Sequence, residues 1–277
     1  MLNKKLNRSL FYILFLFFLI FFIKFSTGSA FAKTYKITGL EISEPYDINF
    51  SKDKVVDIAF QNAFKELMLK LTTSENSYLS KNKNLKIIKT LIDSFSIVDE
   101  KFIDNKYIAN FEVSFNKQEV LNFFEKKNVF SSIPKKKKLF IMPILVDIKS
   151  NQIFLLSENP FYINWSKFNK KYHLLEYILP NEDLDDFNII KKNIDSIENY
   201  NFNEIISKYD LNDYIILIIF KNKSDLRVLS RINLNNNLIL LNKTFEKQDI
   251  NNEENLNNII NDLKQSYENN WKKNNLI

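Results

Sequence analysis

Residues 139–146 read LFIMPILV, an apolar run without a charged or polar side chain. A strand that faces water on one side alternates polar and apolar residues, whereas a strand covered on both sides is apolar throughout. The run therefore predicts the central strand of a sheet with other elements on both faces. This strand decides the architecture of the second half of the chain.

The segments after this run predict the rest of one α/β unit. Residues 226–234 and 238–245 are strand-like runs joined by an Asn-rich turn, which predicts two adjoining strands. Residues 256–272 place apolar side chains at helical spacing and predict a closing amphipathic helix. Its apolar side consists of Leu256, Ile259, Ile260, Leu263, Tyr267 and Trp271. The other predicted segments are strands at 173–179 and 213–221 and helices at 159–168, 183–194 and 202–209.

The segments before residue 131 predict a smaller α+β unit. Residues 34–43 alternate like a half-buried strand, and residues 54–71 repeat apolar side chains every three or four positions, like an amphipathic helix. Strand-like runs at 94–103 and 106–115 flank Asp104-Asn105, which predicts a hairpin turn. Shorter helices are predicted at 85–93 and 117–127.

The sequence SSIPKKKK at residues 131–138 breaks both periodicities and predicts a linker. We place the domain boundary there, between an N-terminal α+β domain at 33–133 and a C-terminal α/β domain at 134–277. The lysines at 135–138 fit either a patch for anionic lipid or polyanions, or a solvated linker in a Lys-rich chain, and we favour the linker. The predicted fold class is α+β (α/β): two small units, each a mixed or antiparallel sheet packed with helices.

The amino terminus has the three parts of a secretory signal peptide. Lys4, Lys5 and Arg8 precede the apolar run at 10–23, and Ala30-Phe31-Ala32 supplies the small residues of a cleavage site. We expect cleavage after Ala32, a signal peptide at residues 1–32 and delivery to the periplasm. The alternative is an uncleaved membrane anchor, although the apolar run is shorter than the roughly 20 residues that a spanning helix needs.

Composition and charge exclude several functional classes. The chain has no Cys, one His and two Gly, which excludes thiolate nucleophiles, two-His metal sites and glycine-rich phosphate loops. The net charge of +6 includes Lys4, Lys5, Arg8 and Lys24 of the signal segment, so the mature chain carries +6 − 4 = +2. This near-neutral balance gives no electrostatic basis for nucleic-acid binding. We expect no cofactor and no metal.

A few side chains are candidates for a binding site. Asn159, Pro160 and Trp165 fit an aromatic ligand pocket, although such residues more often cap and pack a helix. Trp271 fits a contact with a partner or a membrane interface, with burial against the sheet as the favoured alternative. His173 is the only histidine that could act as a general base, but a structural role is favoured.

An acidic cluster precedes the helix predicted at 183–194. Glu182, Asp183, Asp185 and Asp186 offer oxygen ligands for calcium, but the EF-hand spacing and its glycine are absent. Acidic residues also stabilise the amino-terminal end of a helix. We favour this second interpretation.

The order of the segments resembles an uncharacterised family of proteobacterial envelope proteins, domain of unknown function 2066. The matching pieces are the signal segment, AFKELMLKLT at 63–72, YIANFEVSFNKQEVLNFFEKKNV at 107–129, LFIMPILV, NPFYINW at 159–165, and a closing helix with Trp271-Lys272. The chain departs from the family in carrying Asn and Lys where members usually carry Gly and Arg. The resemblance implies a periplasmic address in a Gram-negative cell and supplies no catalytic residues.

Three functions remain open from the sequence. The first is a non-enzymatic interaction or envelope-assembly module that binds an envelope protein and is not stably inserted in the membrane after cleavage. The second is a periplasmic small-ligand-binding protein with a cleft near Trp165. The third is a hydrolase that uses carboxylates alone. The reactive side-chain inventory favours the first, and leaves enzymatic activity uncertain.

Overall fold

The computed structural model describes residues 33–277. This part of the chain contains two sheets packed against helices, which confirms the predicted α+β class. The predicted signal segment, with Ala30 and Ala32, lies outside the described residues. Within residues 33–277, every helix is too short or too polar to cross a membrane.

The first unit is a three-stranded antiparallel sheet with helices on one face. The strand order is β1-β3-β2. The hairpin between β2 and β3 turns at Asp104 and Asn105, whose φ angles of 50° and 55° are both positive, as a type I′ turn requires. The elements are β1 (Thr34–Pro45), α1 (Lys52–Leu71), a 3-10 helix (Ser74–Lys81), α2 (Leu85–Leu91), β2 (Ile92–Ile103), β3 (Lys106–Asn116) and α3 (Lys117–Glu125).

The core of this unit lies between β3 and α1. Every second residue of β3 is buried, beginning with Tyr107, because successive side chains of a strand point to opposite faces. Helix α1 begins after Ser51, whose hydroxyl accepts a hydrogen bond from the backbone N–H of Lys54. Ala59 and Ala63 are fully buried on this helix, and their small size allows a close approach to the sheet.

The second unit is a six-stranded mixed sheet. Its path is β5-β4-β7-β8-β9, and β6 also pairs with β4. Strand β4 is parallel to β6 and β7, whereas the β4-β5, β7-β8 and β8-β9 pairs are antiparallel. The elements are β4 (Lys137–Asp147), β5 (Gln152–Phe154), α4 (Pro160–Trp165), β6 (Leu175–Ile178), α5 (Leu184–Lys192), α6 (Asn203–Ser207), β7 (Tyr214–Asn222), β8 (Asp225–Leu234), β9 (Asn237–Phe245) and α7 (Glu253–Lys273), with 3-10 turns at Leu156–Glu158, Ser166–Phe168 and Ile194–Ser196.

Strand β4 is covered on both faces, as its apolar run predicts. All eight residues at 139–146 are buried. Leu139 and Ile141 belong to the core under α7, whereas Phe140 and Met142 belong to the core on the opposite face, which includes residues of α5 and α6. Two separate apolar cores on one strand leave no face for a polar residue, which is why the run has none.

The carboxyl-terminal end of α7 joins the two units. The linker after α3 contains the predicted boundary at 133/134, and Ser132 forms an antiparallel bridge with Leu276. The buried Ser132 N–H donates to Leu71 O at the end of α1. Gly39, at a bulge in β1 with a φ of 67°, accepts a hydrogen bond on its carbonyl from Lys171 Nζ of the second unit at 2.6 Å. The junction is therefore held by contacts from several separate segments.

Candidate functional site

Three charged residues form a buried row along the inner edge of α7. Lys264, Glu268 and Lys272 are spaced four residues apart and therefore lie on one side of the helix. Each is at most 5% exposed. Charged groups are rarely buried without partners because they lose their hydration, so the surroundings of these three residues are informative.

Lys264 lies in a pocket of backbone oxygen and aromatic rings. Its Nζ donates to Trp165 O at 2.6 Å and to Asn169 Oδ1 at 2.9 Å. The same atom lies 5.4 Å from the centre of the Trp165 ring and 5.5 Å from that of Tyr177, within the range of cation–π attraction. Burial lowers the pKa of Lys264 to about 8. This lysine therefore fastens α4 and the following turn to α7.

Only one of the two carboxylate oxygens of Glu268 has hydrogen-bond partners. Its Oε1 accepts hydrogen bonds from the backbone N–H groups of Leu174 and Leu175, at 2.9 and 2.8 Å. Its Oε2 is equally buried and has no hydrogen-bond partner among the described residues. Burial raises the pKa of Glu268, and the two N–H donors and the charge of Lys272 oppose that rise. A buried carboxylate oxygen without a partner is costly, because it loses its hydration and gains no hydrogen bond in exchange.

Lys272 links α7 to the first unit. Its Nζ donates to Leu69 O at 2.6 Å, in the last turn of α1. The carboxyl-terminal end of a helix carries partial negative charge, so a lysine is favourable there. Burial lowers the pKa of Lys272, and Glu268 opposes the change. Asn269 adds a second link, because its side chain exchanges hydrogen bonds with Ser74 at 2.9 and 2.7 Å.

A polar cavity of about 220 Å³ lies at this junction. Its walls come from the end of α1, the 3-10 helix, the loop before β6, and α7. Glu268, Lys272, Lys170 and His173 bring charge or titratable groups to it, and Thr73 and Ser77 bring hydroxyls. Most of its lining residues are polar, in contrast to the aromatic ligand pocket near Trp165 that is the less favoured alternative from the sequence.

His173 lies in this wall and is held there by the turn before β6. Its backbone N–H donates to Lys170 O at 2.9 Å, and its Nδ1 accepts from Lys170 N at 3.4 Å. Burial lowers the pKa of His173 to about 4, and the charges of Lys264, Lys170 and Lys272 add to the effect. The side chain is therefore neutral near neutral pH.

Asn159 and Pro160 have structural roles at the start of α4. Asn159 is fully buried. Its Oδ1 accepts from the Phe161 N–H at 3.0 Å as a helix cap, and its Nδ2 donates to Pro143 O at 3.1 Å. Strands β5 and β6 pair with one edge of β4, and Pro143 lies between the two paired stretches. Because no strand pairs with this edge at Pro143, the missing N–H of proline breaks no hydrogen bond of the sheet there. Asn159 thus fills a gap in the sheet, and Pro160 occupies the first helical turn, where proline is favoured.

Trp165 and Trp271 are both fully buried. Trp165 contacts Tyr177 edge-on with ring centres 5.5 Å apart and lines none of the five cavities described in residues 33–277. Trp271 packs in the core under α7, and its Nε1 donates to Lys135 O of the linker at 2.8 Å. Both side chains therefore contribute packing, and Trp271 also fixes the linker to the closing helix.

The acidic cluster forms a helix cap with a cationic partner. Asp183 accepts hydrogen bonds from the N–H groups of Asp185 and Asp186 at the start of α5. Lys208 Nζ lies 2.8 Å from Asp183 and 2.7 Å from Asp186. Within residues 33–277, no group of three or more His, Asp or Glu side chains is arranged to hold a metal ion. The helix-end interpretation of these acids agrees with the geometry.

Three carboxylates, Glu158, Glu182 and Asp183, line a cavity of about 390 Å³ beside this helix. Glu158 and Glu182 are exposed, and Asp183 is half-buried and paired with Lys208. The acid of a carboxylate-dependent hydrolase is characteristically sheltered from water, which holds its proton in place. This cavity therefore contains the residue types that such a hydrolase needs, but their exposure to water is unfavourable for that chemistry.

The linker lysines are partly engaged in ion pairs. Lys137 pairs with Asp213, and Lys138 Nζ lies 3.5 Å from Glu176. Lys135 and Lys136 are exposed. The pairing of half of the run with acids reduces the charge available to a polyanion, in line with the linker interpretation.

An apolar patch lies beside the linker and shares no residue with the lining of the polar cavity. It consists of Phe130, Ile133, Leu276 and Ile277, which are 74%, 48%, 46% and 52% exposed. Backbone hydrogen bonds from Ile133 N to Asn275 O and from Ile277 N to Ser131 O hold the two segments together. The patch borders a groove of about 440 Å³, whose apolar walls are Leu121, Phe124, Val129, Phe130 and Ile277.

The charged row on α7 is the part of the site that is absent from the sequence-based predictions. Lys264, Glu268 and Lys272 each follow an apolar core residue, at positions 263, 267 and 271, and so border the apolar face. Repetition of charge at four-residue spacing along that border is the signal that could have indicated them.

No model of a known protein family matches this chain, and no curated protein matches it either.

Proposed function

We propose that this chain is an exported envelope protein that acts as a non-enzymatic interaction module in the periplasm. The observation that carries the proposal is the apolar patch with its groove beside α3. Isolated apolar residues are common on protein surfaces, but a contiguous patch beside an apolar groove is typical of a binding surface. The resemblance to domain of unknown function 2066 belongs to the same proposal and supports the envelope address.

The chemistry of the groove indicates the kind of partner. Among its lining side chains only Glu125 is charged, and its apolar walls come from α3, the segment that follows it and Ile277. An apolar peptide segment of an envelope protein, with its own backbone hydrogen bonds satisfied in a helix, fits such a surface. The aromatic side chain of Phe130, which is 74% exposed, is the natural anchor because large aromatic residues dominate binding energy at interfaces.

Site-specific photocrosslinking tests this proposal in intact cells. A photoreactive phenylalanine analogue at Phe130 is expected to give one dominant protein adduct, and the same analogue at Leu184 is the matched control because Leu184 is also 74% exposed. Ile277→Asp is expected to abolish the adduct without unfolding the protein, since Ile277 is half exposed. Equal labelling at both positions, or an adduct that persists in the Ile277→Asp variant, would contradict the proposal.

Small-ligand binding is a second candidate, and the polar cavity at the junction favours it. Because Trp165 is fully buried, we propose the polar cavity beside the charged row of α7 for such a ligand, in place of an aromatic pocket at Trp165.

A further inference from the structure

We propose that the protein forms a two-fold symmetric dimer in which strand β9 pairs antiparallel with β9 of a second copy. Strand β9 ends the path of the six-stranded sheet, and within residues 33–277 it pairs with β8 alone. It shares no residue with the apolar patch or its groove, so this inference does not depend on the proposed function. Three features carry it: the free backbone groups of β9, its lack of protection against pairing, and a register that fits its own copy.

The free backbone groups of β9 follow from the turn that precedes it. Asn235 and Asn236 have φ angles of 53° and 62° and form a two-residue turn between β8 and β9. The two residues that flank such a turn exchange hydrogen bonds, and every second pair along the hairpin repeats this pattern. The N–H and C=O groups of the intervening residues of β9 therefore point away from β8. These outward residues are Leu238, Leu240, Asn242 and Thr244.

Solvent reaches these four outward residues. Leu238 and Leu240 are 56% and 65% exposed, and the other two are exposed as well. Their side chains lie on the face of the sheet opposite α7, because the alternate residues Ile239, Leu241 and Phe245 pack in the core under that helix. Within residues 33–277, no backbone hydrogen bond from a segment other than β8 reaches them.

The chain that follows β9 leaves this edge uncovered. The Lys247 N–H donates to Asp225 Oδ1 at 2.9 Å, and the Gln248 N–H donates to Ser224 O at 2.7 Å. Asp225 begins β8 and Ser224 precedes it, so the chain crosses the end of β8 instead of continuing alongside β9. An edge with free N–H and C=O groups is a template for a further strand.

Strand β9 lacks the features that keep other sheet edges unpaired. Short length, bulges, proline and charged side chains all discourage pairing between edges. Strands β5 and β6 have only three and four residues, β1 contains a bulge and ends at Pro45, and β2 contains two bulges. Strand β9 has nine residues, no proline and a regular register with β8. Its one charged side chain, Lys243, pairs with Asp262 of α7.

The backbone of β9 fits its own copy best in one register. With the two-fold axis at Leu241, Leu238 faces Thr244 of the second copy, and Leu240 faces Asn242 of the second copy. Every outward residue then meets an outward residue, so four pairs form, each with two backbone hydrogen bonds. A shift by two positions leaves fewer such pairs, because one end of the strand loses its partner. A shift by one position places outward groups opposite groups that already bond to β8.

The side chains are also self-complementary around this axis. Leu241 faces Leu241 of the second copy on the α7 side, and the two copies of Leu240 are diagonal neighbours on the other side. Asn237 and Thr244 lie at the ends, which gives the apolar centre and polar rim that are typical of interfaces. Lys243 faces Ile239 of the second copy, so no like charges face each other. These features favour a second copy over an unrelated strand.

Analytical ultracentrifugation of the purified protein tests the dimer. Leu240→Lys is expected to raise the dimer dissociation constant at least about tenfold, because it places two lysines beside the axis. Asn242→Pro removes an outward N–H that β8 does not use, so the fold is expected to be retained and the dimer to be weakened. Leu184→Lys adds the same charge at a side chain of α5 that is 74% exposed, and this control is expected to dimerise normally. A monomer at all concentrations up to about 0.5 mM, or an unchanged dissociation constant in both β9 variants, would overturn the proposal.

Cysteine crosslinking tests the register, because the chain has no cysteine of its own. In the proposed register the Cα atoms of Leu238 and of Thr244 of the second copy are about 5.5 Å apart, a distance that a disulfide spans. The two copies of Leu238 are six positions apart along the strands, or about 20 Å. An oxidised mixture of Leu238→Cys and Thr244→Cys proteins is therefore expected to give a disulfide-linked dimer, and either protein alone is expected to remain unlinked. Equal crosslinking in the mixture and in the single variants, or none in any sample, would overturn this pairing of β9.

Discussion

Replacement of His173 by Gln is expected to remove an acid-sensitive component of the stability of this protein. Burial and three nearby lysines lower the pKa of His173 from 6.5 to about 4. Between these two values the unfolded chain binds a proton that the folded chain excludes. The stabilising contribution is therefore complete above pH 6.5, falls as the pH drops through this window, and is lost below about 4.

The size of the effect follows from the same shift. A difference of about 2.5 pKa units, from 6.5 to about 4, corresponds to at most about 3.4 kcal/mol. His173 is only partly buried, so water both hydrates part of the ring and screens the lysine charges, which reduces this figure to about 1–2 kcal/mol. The wild type is expected to lose this much more stability than His173→Gln over the window.

Two measurements check this expectation. Urea denaturation of both proteins across the window gives the difference in the free energy of unfolding. Because His173 is the only histidine of the chain, its imidazole C–H proton gives an isolated signal in a proton NMR titration. Lys170→Met is expected to raise the measured pKa, since the charge of Lys170 lowers it. A folded-state midpoint near 6.5, or parallel loss of stability in both proteins, would refute the reasoning.

Three further predictions concern packing and export. Asn159→Ala is expected to lower the free energy of unfolding by about 2–4 kcal/mol, because it removes a helix cap and leaves the buried Pro143 carbonyl unpaired. Asn84→Ala, at an exposed helix cap, is expected to lower it by only about 1 kcal/mol. Thermal or chemical denaturation measures the difference. Trp271→Phe removes the hydrogen bond to Lys135 O and is expected to cost about 1 kcal/mol, with faster proteolysis of the linker as a local readout. The intact mass of the exported protein is expected to correspond to a chain that begins at Lys33, and Ala32→Leu is expected to block cleavage. A full-length mass for the unaltered protein would favour the uncleaved anchor.

Much of the fold could be predicted because its signals are local. Each signal lies within a few neighbouring residues: the apolar run of β4, the helical spacing of α1 and α7, and the turn dipeptide Asp104-Asn105. The sequence does not predict the 3-10 helix Ser74–Lys81 or the strand β5. A strand of three residues is too short for an alternation to be visible, and 3-10 turns have no strong apolar period.

The roles of the candidate site residues were harder to predict from the sequence than the fold. From the sequence, packing is favoured over binding for Asn159, Pro160, Trp165 and Trp271, but their contacts are not predicted. The difference depends on burial, and burial depends on which distant segment covers each side chain. Asn159 is a clear example, because its partner Pro143 lies in a gap that exists only when β5 and β6 occupy the same edge of β4.

The sequence by itself determined the two units, the central strand and the classes of chemistry that its composition excludes, since periodicity and residue counts need no tertiary contact. Only the tertiary structure decided where charge is buried. Glu268 meets the N–H groups of Leu174 and Leu175 across more than 90 residues, and Lys272 meets Leu69 across 203. The sequence of a helix does not show which polar positions become buried, because this depends on the elements that pack against the helix. The polar cavity is therefore a property of the assembled junction.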